Sequence, residues 1–146
     1  MQTQEFKVSI NAPREKVWDV LWNDDTYRAW TSVFSEGSHA ETDWKKGSKV
    51  LFLDGKGSGM VSTVADNVPN ELMSFKHLGV MKDGVEDTDS EEVKKWAGAY
   101  ENYRLRQVDG NTELAVQVDL NDEWKDYFVD TFPKALNKVK ELAEKN

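Results

Sequence analysis

Two histidines, His39 and His77, and no cysteine stand among the 146 residues. Thiol nucleophiles, thiolate-bound zinc, iron–sulfur clusters and disulfide staples are therefore excluded, and a histidine-rich metal centre with them. The acid–base chemistry left to this chain centres on His77. Met73, Phe75 and His77 alternate, so they share one face of a strand and direct the imidazole toward whatever that face covers. There it can orient a ligand oxygen or act as a general base, or it can simply bond to backbone or to a neighbouring side chain. Glu101, Tyr103 and Leu105 alternate in the same way, and Leu114, Val116, Val118 and Leu120 line one face of the strand that follows. If that apolar face is the concave one, Tyr103 turns inward, and Glu101 either turns inward beside His77 or sits at the strand's wet end. An inward carboxylate needs a partner or a raised pKa, and beside His77 it would complete the one credible acid–base pair. His39 opens a strand after Gly37 and Ser38 and is expected to be exposed.

Aromatic side chains are the second resource. There are six tryptophans, Trp18, Trp22, Trp30, Trp44, Trp96 and Trp124. Large side chains at helical spacing generally fill a core, but they can also cage a ligand. Other chemistry is poorly represented. Gly55, Gly57 and Gly59 in LDGKGSG echo a phosphate cradle, yet no helix or Lys-Ser/Thr ending follows, so a glycine-rich hairpin is expected. Neither G-x-S-x-G nor H-E-x-x-H occurs. Asp83, Glu86, Asp87, Asp89, Glu91 and Glu92 follow one another without an intervening basic residue, within a net charge of −8. Their spacing does not fit a twelve-residue calcium loop, and such a run reads as a solvated surface, open to a weak cation or a basic partner. The acidic balance argues against nucleic acid or an anionic membrane as partner.

The elements that must position these residues are legible from periodicity. QEFKVSI alternates and reads as a first strand, with Phe6, Val8 and Ile10 on one face. Asn11 offers a cap and Pro13 a first turn for a short helix carrying Val17, Trp18, Val20, Leu21 and Trp22. A second short helix follows Asp24 and Asp25 and carries Tyr27 and Trp30. Turn signals at Lys46-Gly47, Asp54-Gly55, Pro69-Asn70 and Asp109-Gly110-Asn111 then separate strands expected near 39–44, 48–54, 58–67, 71–78, 99–108 and 112–120. From Asn121 a long amphipathic helix places Trp124, Phe128, Thr131, Ala135, Val139 and Leu142 on one stripe, with a kink or break expected at Pro133. The fold class is α+β: a curved antiparallel sheet of about seven strands wraps the terminal helix, with two short helices after the first strand. Residues 1–146 are expected to form one domain, burying about 70% of the surface its unfolded chain exposes. No apolar run reaches the roughly 18–20 residues of a membrane span, and the opening residues lack a secretory signal, so a cytoplasmic protein is expected.

SINAPREKVWDVLWNDDTYRAWTS, followed by ETDWKKGSKVLF, resembles the opening of the START-like, or SRPBCC, helix-grip superfamily, in the branch of the heat-shock protein 90 ATPase activator homologues. Val17-Trp18, Trp30, Gly47, the Gly59-Met60-Val61 strand, Pro69-Asn70-Glu71 and the final helix fall in that family's order. The resemblance covers nearly the whole chain and implies the fold; the superfamily's lipid carriers, allergens, cyclases and aromatase-like proteins share no catalytic residue. This chain departs from it in two ways. The family's dedicated co-chaperone carries a separate amino-terminal domain, whereas this chain opens on its first strand. Residues 79–98 are also long and charged for a connection between strands, and Thr88 with Glu91 fits a capping box for a helix over 89–96.

The first reading is a non-catalytic module that holds a small apolar or amphipathic molecule between sheet and helix, with residues 79–98 as a lid and no cofactor or metal. Trp30, Phe34, Phe75, His77, Trp96, Tyr103, Trp124 and Phe128 are its candidate contacts, those on the short helices, the insert and the terminal helix being placed at the mouth with help from the resemblance. The second is a cyclase- or hydrolase-type enzyme using His77 with Glu101 or Tyr103 and water. The third is a chaperone-associated protein acting through its outer surface. A monomer or weak dimer is expected.

Overall fold

The computed structural model describes residues 2–145. The alternating segment Gln2–Ile10 forms β1, and the chain then turns through Ala12 and Pro13 into α1 (Arg14–Trp22) and, after one residue, α2 (Asp24–Thr31). Pro13 itself stands at the N-cap of α1 with no side-chain bond, so the cap expected from Asn11 does not form. The turn is held instead by the buried Thr112 hydroxyl, which donates to the Ala12 carbonyl at 2.7 Å. Asn23 is a true cap: its side chain accepts from the Asp25 amide at the start of α2.

The meander follows as β2 (His39–Glu41), β3 (Lys49–Leu53), β4 (Gly59–Val68), β5 (Leu72–Lys82), β6 (Val85–Asp87), β7 (Tyr100–Val108) and β8 (Asn111–Leu120). A single turn of helix, α3 (Glu91–Lys94), lies between β6 and β7, and α4 (Asp122–Glu144) ends the chain. All pairings are antiparallel, in the order β1-β8-β7-β5-β4-β3-β2, with β6 beside the far end of β5. The sheet thus has eight strands, one more than expected, because residues 79–98 are built into it. β5 runs on to Lys82; its first half pairs with β7 and its second half with β6. Gly79 permits this: a Cβ there would lie 2.1 Å from the Asp87 carbonyl oxygen. The helix expected over 89–96 shrinks to α3 and is capped by Ser90, not Thr88, because Asp87 accepts the Ser90 amide and fixes that residue one turn later.

The concave face of the sheet presents Phe6, Val8, Ile10, Val50, Val64, Met73, Phe75, Tyr103, Leu105, Leu114, Val116 and Val118 to a core shared with α1, α2 and α4. α4 contributes Phe132, Ala135, Leu136, Val139 and Ala143 from its buried stripe. Pro133 does not break this helix, which is continuous for 23 residues. The proline faces solvent, and the carbonyl four residues back belongs to exposed Val129, where water can take the missing bond. No helix among the described residues is long and apolar enough to cross a membrane.

Candidate functional site

Three adjacent central strands, β4, β5 and β7, plant polar side chains on the apolar concave face at one level. Ser62 lies opposite His77 across β4 and β5, and Glu101 lies opposite Phe75, one residue pair along, across β5 and β7. The Ser62 Oγ and His77 Nδ1 are 2.6 Å apart, and His77 Nε2 is 3.1 Å from Glu101 Oε1. The Tyr103 hydroxyl donates to the other oxygen, Glu101 Oε2. One proton arrangement serves all three contacts. Ser62 donates to Nδ1, Nε2–H donates to Glu101, and the carboxylate accepts from both sides. The result is a four-residue relay with all its hydrogens pointing toward one carboxylate.

Exposure along the relay is graded. Ser62 is fully buried, Tyr103 and His77 nearly so, and the Glu101 side chain is 20% exposed. Glu101 is therefore the member that meets solvent. Burial, reinforced by the negative charge of Glu101, pushes the phenols of Tyr103 and Tyr27 above the ordinary tyrosine range.

Aromatic rings surround the relay. Phe52 meets the His77 ring edge-on at 6.2 Å, and Trp30 meets Tyr103 at the same separation, its indole N–H spent on the Leu21 carbonyl. Trp22 touches Tyr27, Trp44, Phe75 and Tyr103, so the deep part of the grip is filled by its own side chains. A second series runs along α4 and the chain just after α2, from Phe132 through Phe34 and Phe128 to Tyr127 and Trp124. Tyr127 ties α4 to the end of α2 by donating to the Phe34 carbonyl at 3.0 Å. Trp124 is 52% exposed.

Concavities among the described residues also lie outside the grip. One, of about 610 Å³, is a shallow saddle on the convex face of β1, β8 and β7, bordered by Glu5, Lys7, Glu71, Arg104, Arg106 and Glu113. The other, of about 270 Å³, lies at the mouth between Ser35–Gly37 and Asp54–Lys56. There the Asp54 carboxylate accepts the Lys56 and Ser58 amides, which hold its pKa below the usual carboxylate range.

The expected contacts divide accordingly. His77 and Tyr103 meet through Glu101, which turns inward instead of sitting free at the strand end. Phe75 and Trp30 form the wall behind them, and Phe34, Phe128 and Trp124 form the outer series. Trp96 is half-buried in the insert and joins neither aromatic group. The insert itself lies in the plane of the sheet. His39 is half-buried, its ring held between the Gly37 carbonyl and Glu41. Ser62, Tyr27 and Phe52 escaped the sequence reading. Val61, outside the main core, and Ser62 are both buried, so GMVSTV shows no clean apolar alternation to assign Ser62 a face. The one available signal was Val64, two residues on and apolar.

A family model described as activator of Hsp90 ATPase homolog 1-like protein matches residues 11–144. No curated protein matches the chain. Among solved structures, the Aha1 dimer from Colwellia psychrerythraea is similar at 18% identity and TM-score 0.70, over 99% of this chain and 97% of that one. DynU16, from the dynemicin biosynthetic locus, is similar at 14% identity and TM-score 0.74; 99% of this chain spans 48% of that one. CalU16 from Micromonospora echinospora is similar at 11% identity and TM-score 0.68, over 97% and 76% of the two chains. At these identities the structural likeness is one of fold.

Proposed function

Since the chain belongs to the activator of Hsp90 ATPase homolog 1-like family, of START-like helix-grip fold, we propose that it is a non-catalytic module binding a small amphipathic molecule at the Glu101 end of the grip. The observation that carries this reading is the relay itself. Four polar groups set in an aromatic and aliphatic wall cost desolvation that an apolar core would avoid, and such networks concentrate where a ligand is oriented. The deep rings being packed, the ligand's apolar part displaces the half-buried Phe34 and Phe128, and its polar part meets Glu101. Trp124 and Tyr127 flank the entrance.

The order of the relay weighs against the hydrolase alternative. A nucleophilic serine must face the substrate, with the acid behind the histidine. Here the serine is the fully buried member and the acid is the one that meets solvent.

Native mass spectrometry of protein purified gently from its own cells, with the organic extract analysed, tests the reading. A stoichiometric adduct lost on denaturation is expected. A clean apo mass, under conditions that preserve a control lipid carrier, would overturn it. If an enzyme instead uses this site, His77→Ala will lower turnover by orders of magnitude while a binder's affinity changes little.

A second reading has its own observation. Trp124 and Tyr127, 52% and 40% exposed and in ring contact, stand among Asp122, Glu123 and Asp126 at the start of α4. An aromatic anchor in an acidic rim suits a basic protein surface. The family's description names the ATPase of a heat-shock protein as the class of partner. Stimulation of that ATPase by this protein, lost in Trp124→Ala, is the expected result; an unchanged rate with the wild type ends this reading.

A further inference from the structure

We infer that the molecule held at this site carries a protonated amine, and that the Glu101 carboxylate receives it. The inference rests on the binding reading above and adds the chemistry of the ligand's head.

The Ser62 hydroxyl is committed to His77 Nδ1, the His77 Nε2–H to Glu101 Oε1, and the Tyr103 hydroxyl to Glu101 Oε2. No polar hydrogen of the relay is left over for a ligand. What remains is the unused acceptor capacity of the carboxylate, whose two oxygens offer about four lone-pair sites of which two are taken. A ligand head that only accepts hydrogen bonds, such as a carboxylate or a phosphate, finds nothing to bond there. A head that donates finds an oriented acceptor.

Among the described residues, no lysine or arginine pairs with Glu101; its contact with His77 is a hydrogen bond from a singly protonated ring, so the carboxylate charge is not neutralised. Its charge reaches the two buried phenols, holding both protonated along with their burial. On the binding reading, the rim at Trp124 and Tyr127 carries Asp122, Glu123 and Asp126 against Lys125. An anionic head would cross this rim only to meet a further negative charge, whereas a cation is attracted at both stages.

Phe52 stands edge-on to His77, and Phe34 and Phe128, the rings the binding reading has the ligand displace, contact each other at 6.1 Å. Ring faces attract a cation and contribute nothing comparable to an anion. An ammonium group supplies three donors on a compact charge, which suits a carboxylate already gripped from two sides. The shared demand of carboxylate, rim and rings is a cationic donor on an apolar body.

Three probes with one apolar body and different heads test this: naphthylethylamine, naphthylethanol and naphthylacetate, titrated into the whole chain. Calorimetry gives affinities, and amide shift mapping gives the site. The amine should bind about tenfold more tightly than the alcohol, the expected gain of a charge-assisted bond over a neutral one, and the acid more weakly than both. Shifts should centre on residues 34, 77, 101 and 128. Glu101→Gln should bring the amine to within about twofold of the alcohol, while Glu91→Gln, the same charge change on the insert, should keep the preference. An amine preference that survives Glu101→Gln, or an acid that binds as well as the amine, would overturn the inference while leaving the binding reading in place. Failure of all three probes to bind would overturn both. Should Glu101→Gln not fold, the order of the three heads on the wild type decides by itself.

Discussion

Removing one member of a buried hydrogen-bonded chain strands its neighbour, and the cost depends on whether water can reach the stranded atom. Ser62 and Tyr103 sit at the two ends of the relay and differ in this respect. Ser62→Ala leaves His77 Nδ1 buried without a partner, and a loss of about 1–3 kcal/mol is expected. Tyr103→Phe frees an oxygen of Glu101, the one relay residue with access to solvent, so the loss should be smaller, about 1 kcal/mol. Urea denaturation, read as a shift of midpoint at constant slope, distinguishes the two. The buried phenols of Tyr27 and Tyr103 give a prediction of opposite pH sense to the usual acid case. Their folded pKa values lie above the unfolded value of about 10, so between these limits the folded chain holds protons that the unfolded chain releases. This contribution is complete below about pH 10 and is lost as pH rises toward the folded values, at up to about 1.4 kcal/mol per pH unit per tyrosine. Tyrosinate absorbance from these two rings should therefore grow in together with loss of near-ultraviolet circular dichroism. Absorbance from every tyrosine before that loss would contradict it.

Among the elements, α4 and the insert carry the informative conflicts between local preference and observed structure. A proline inside a helix is unfavourable by up to about 3 kcal/mol, yet α4 passes through Pro133 without a break because its buried stripe is anchored on both sides. Since Pro133 faces solvent, Pro133→Ala touches no core contact and restores an N–H that can reach the Val129 carbonyl. A rise in stability of about 1–3 kcal/mol in thermal or urea unfolding is expected. The insert turns on Gly79. Gly79→Ala places a methyl against the Asp87 carbonyl, so β6 must part from β5. Fast hydrogen exchange confined to residues 85–97 should follow, with residues 112–118 of β8 still protected. Uniform exchange protection in that variant would show that the strand pair can yield without separating.

For the molecule as a whole, the grip is closed by a few polar ties between its two ends. The Glu144 carboxylate accepts the Asn11 amide at 2.8 Å and pairs with Lys140, whose ammonium also reaches the Ser9 carbonyl. These bonds fasten the last turn of α4 to the link between β1 and α1, and they hold the Glu144 pKa below the usual carboxylate range. A lowered folded pKa contributes stability above the unfolded value and loses it as pH falls through the folded one. The acid limb of the stability curve, below about pH 4, should therefore flatten in Glu144→Gln, and more so at low salt. Unfolding midpoints across that range check it. The same molecule divides its aromatic rings unevenly: a packed group around Trp22 and Trp44, and a more exposed series of Phe34, Phe128, Tyr127 and Trp124.

Periodicity in the chain was sufficient for the architecture. The alternation of Phe6, Val8 and Ile10, the turn signals and the 3.6-residue stripe of α4 each depend on near neighbours, so they are readable locally, and the family resemblance added their order in space. Even Asn121 acts as the N-cap of α4 that its position suggests. It also placed Met73, Phe75, His77, Tyr103 and Leu105 on one face, because a strand's parity needs no partner. Tertiary structure decided the rest. Whether Glu101 faced His77 or water depended on the register between β5 and β7, a property of two segments some 25 residues apart. Ser62 shares the face of Val64, as strand parity gives, but it joined the relay only because the register of β4 against β5 sets it opposite His77. Residues 79–98 look like a loop because their charges carry no hydrophobic period; β6 exists because the upper half of β5 offers a free edge and Gly79 lets a second backbone approach it. Local sequence determines which way each side chain leaves its own backbone, and only the packing of distant strands determines what it meets.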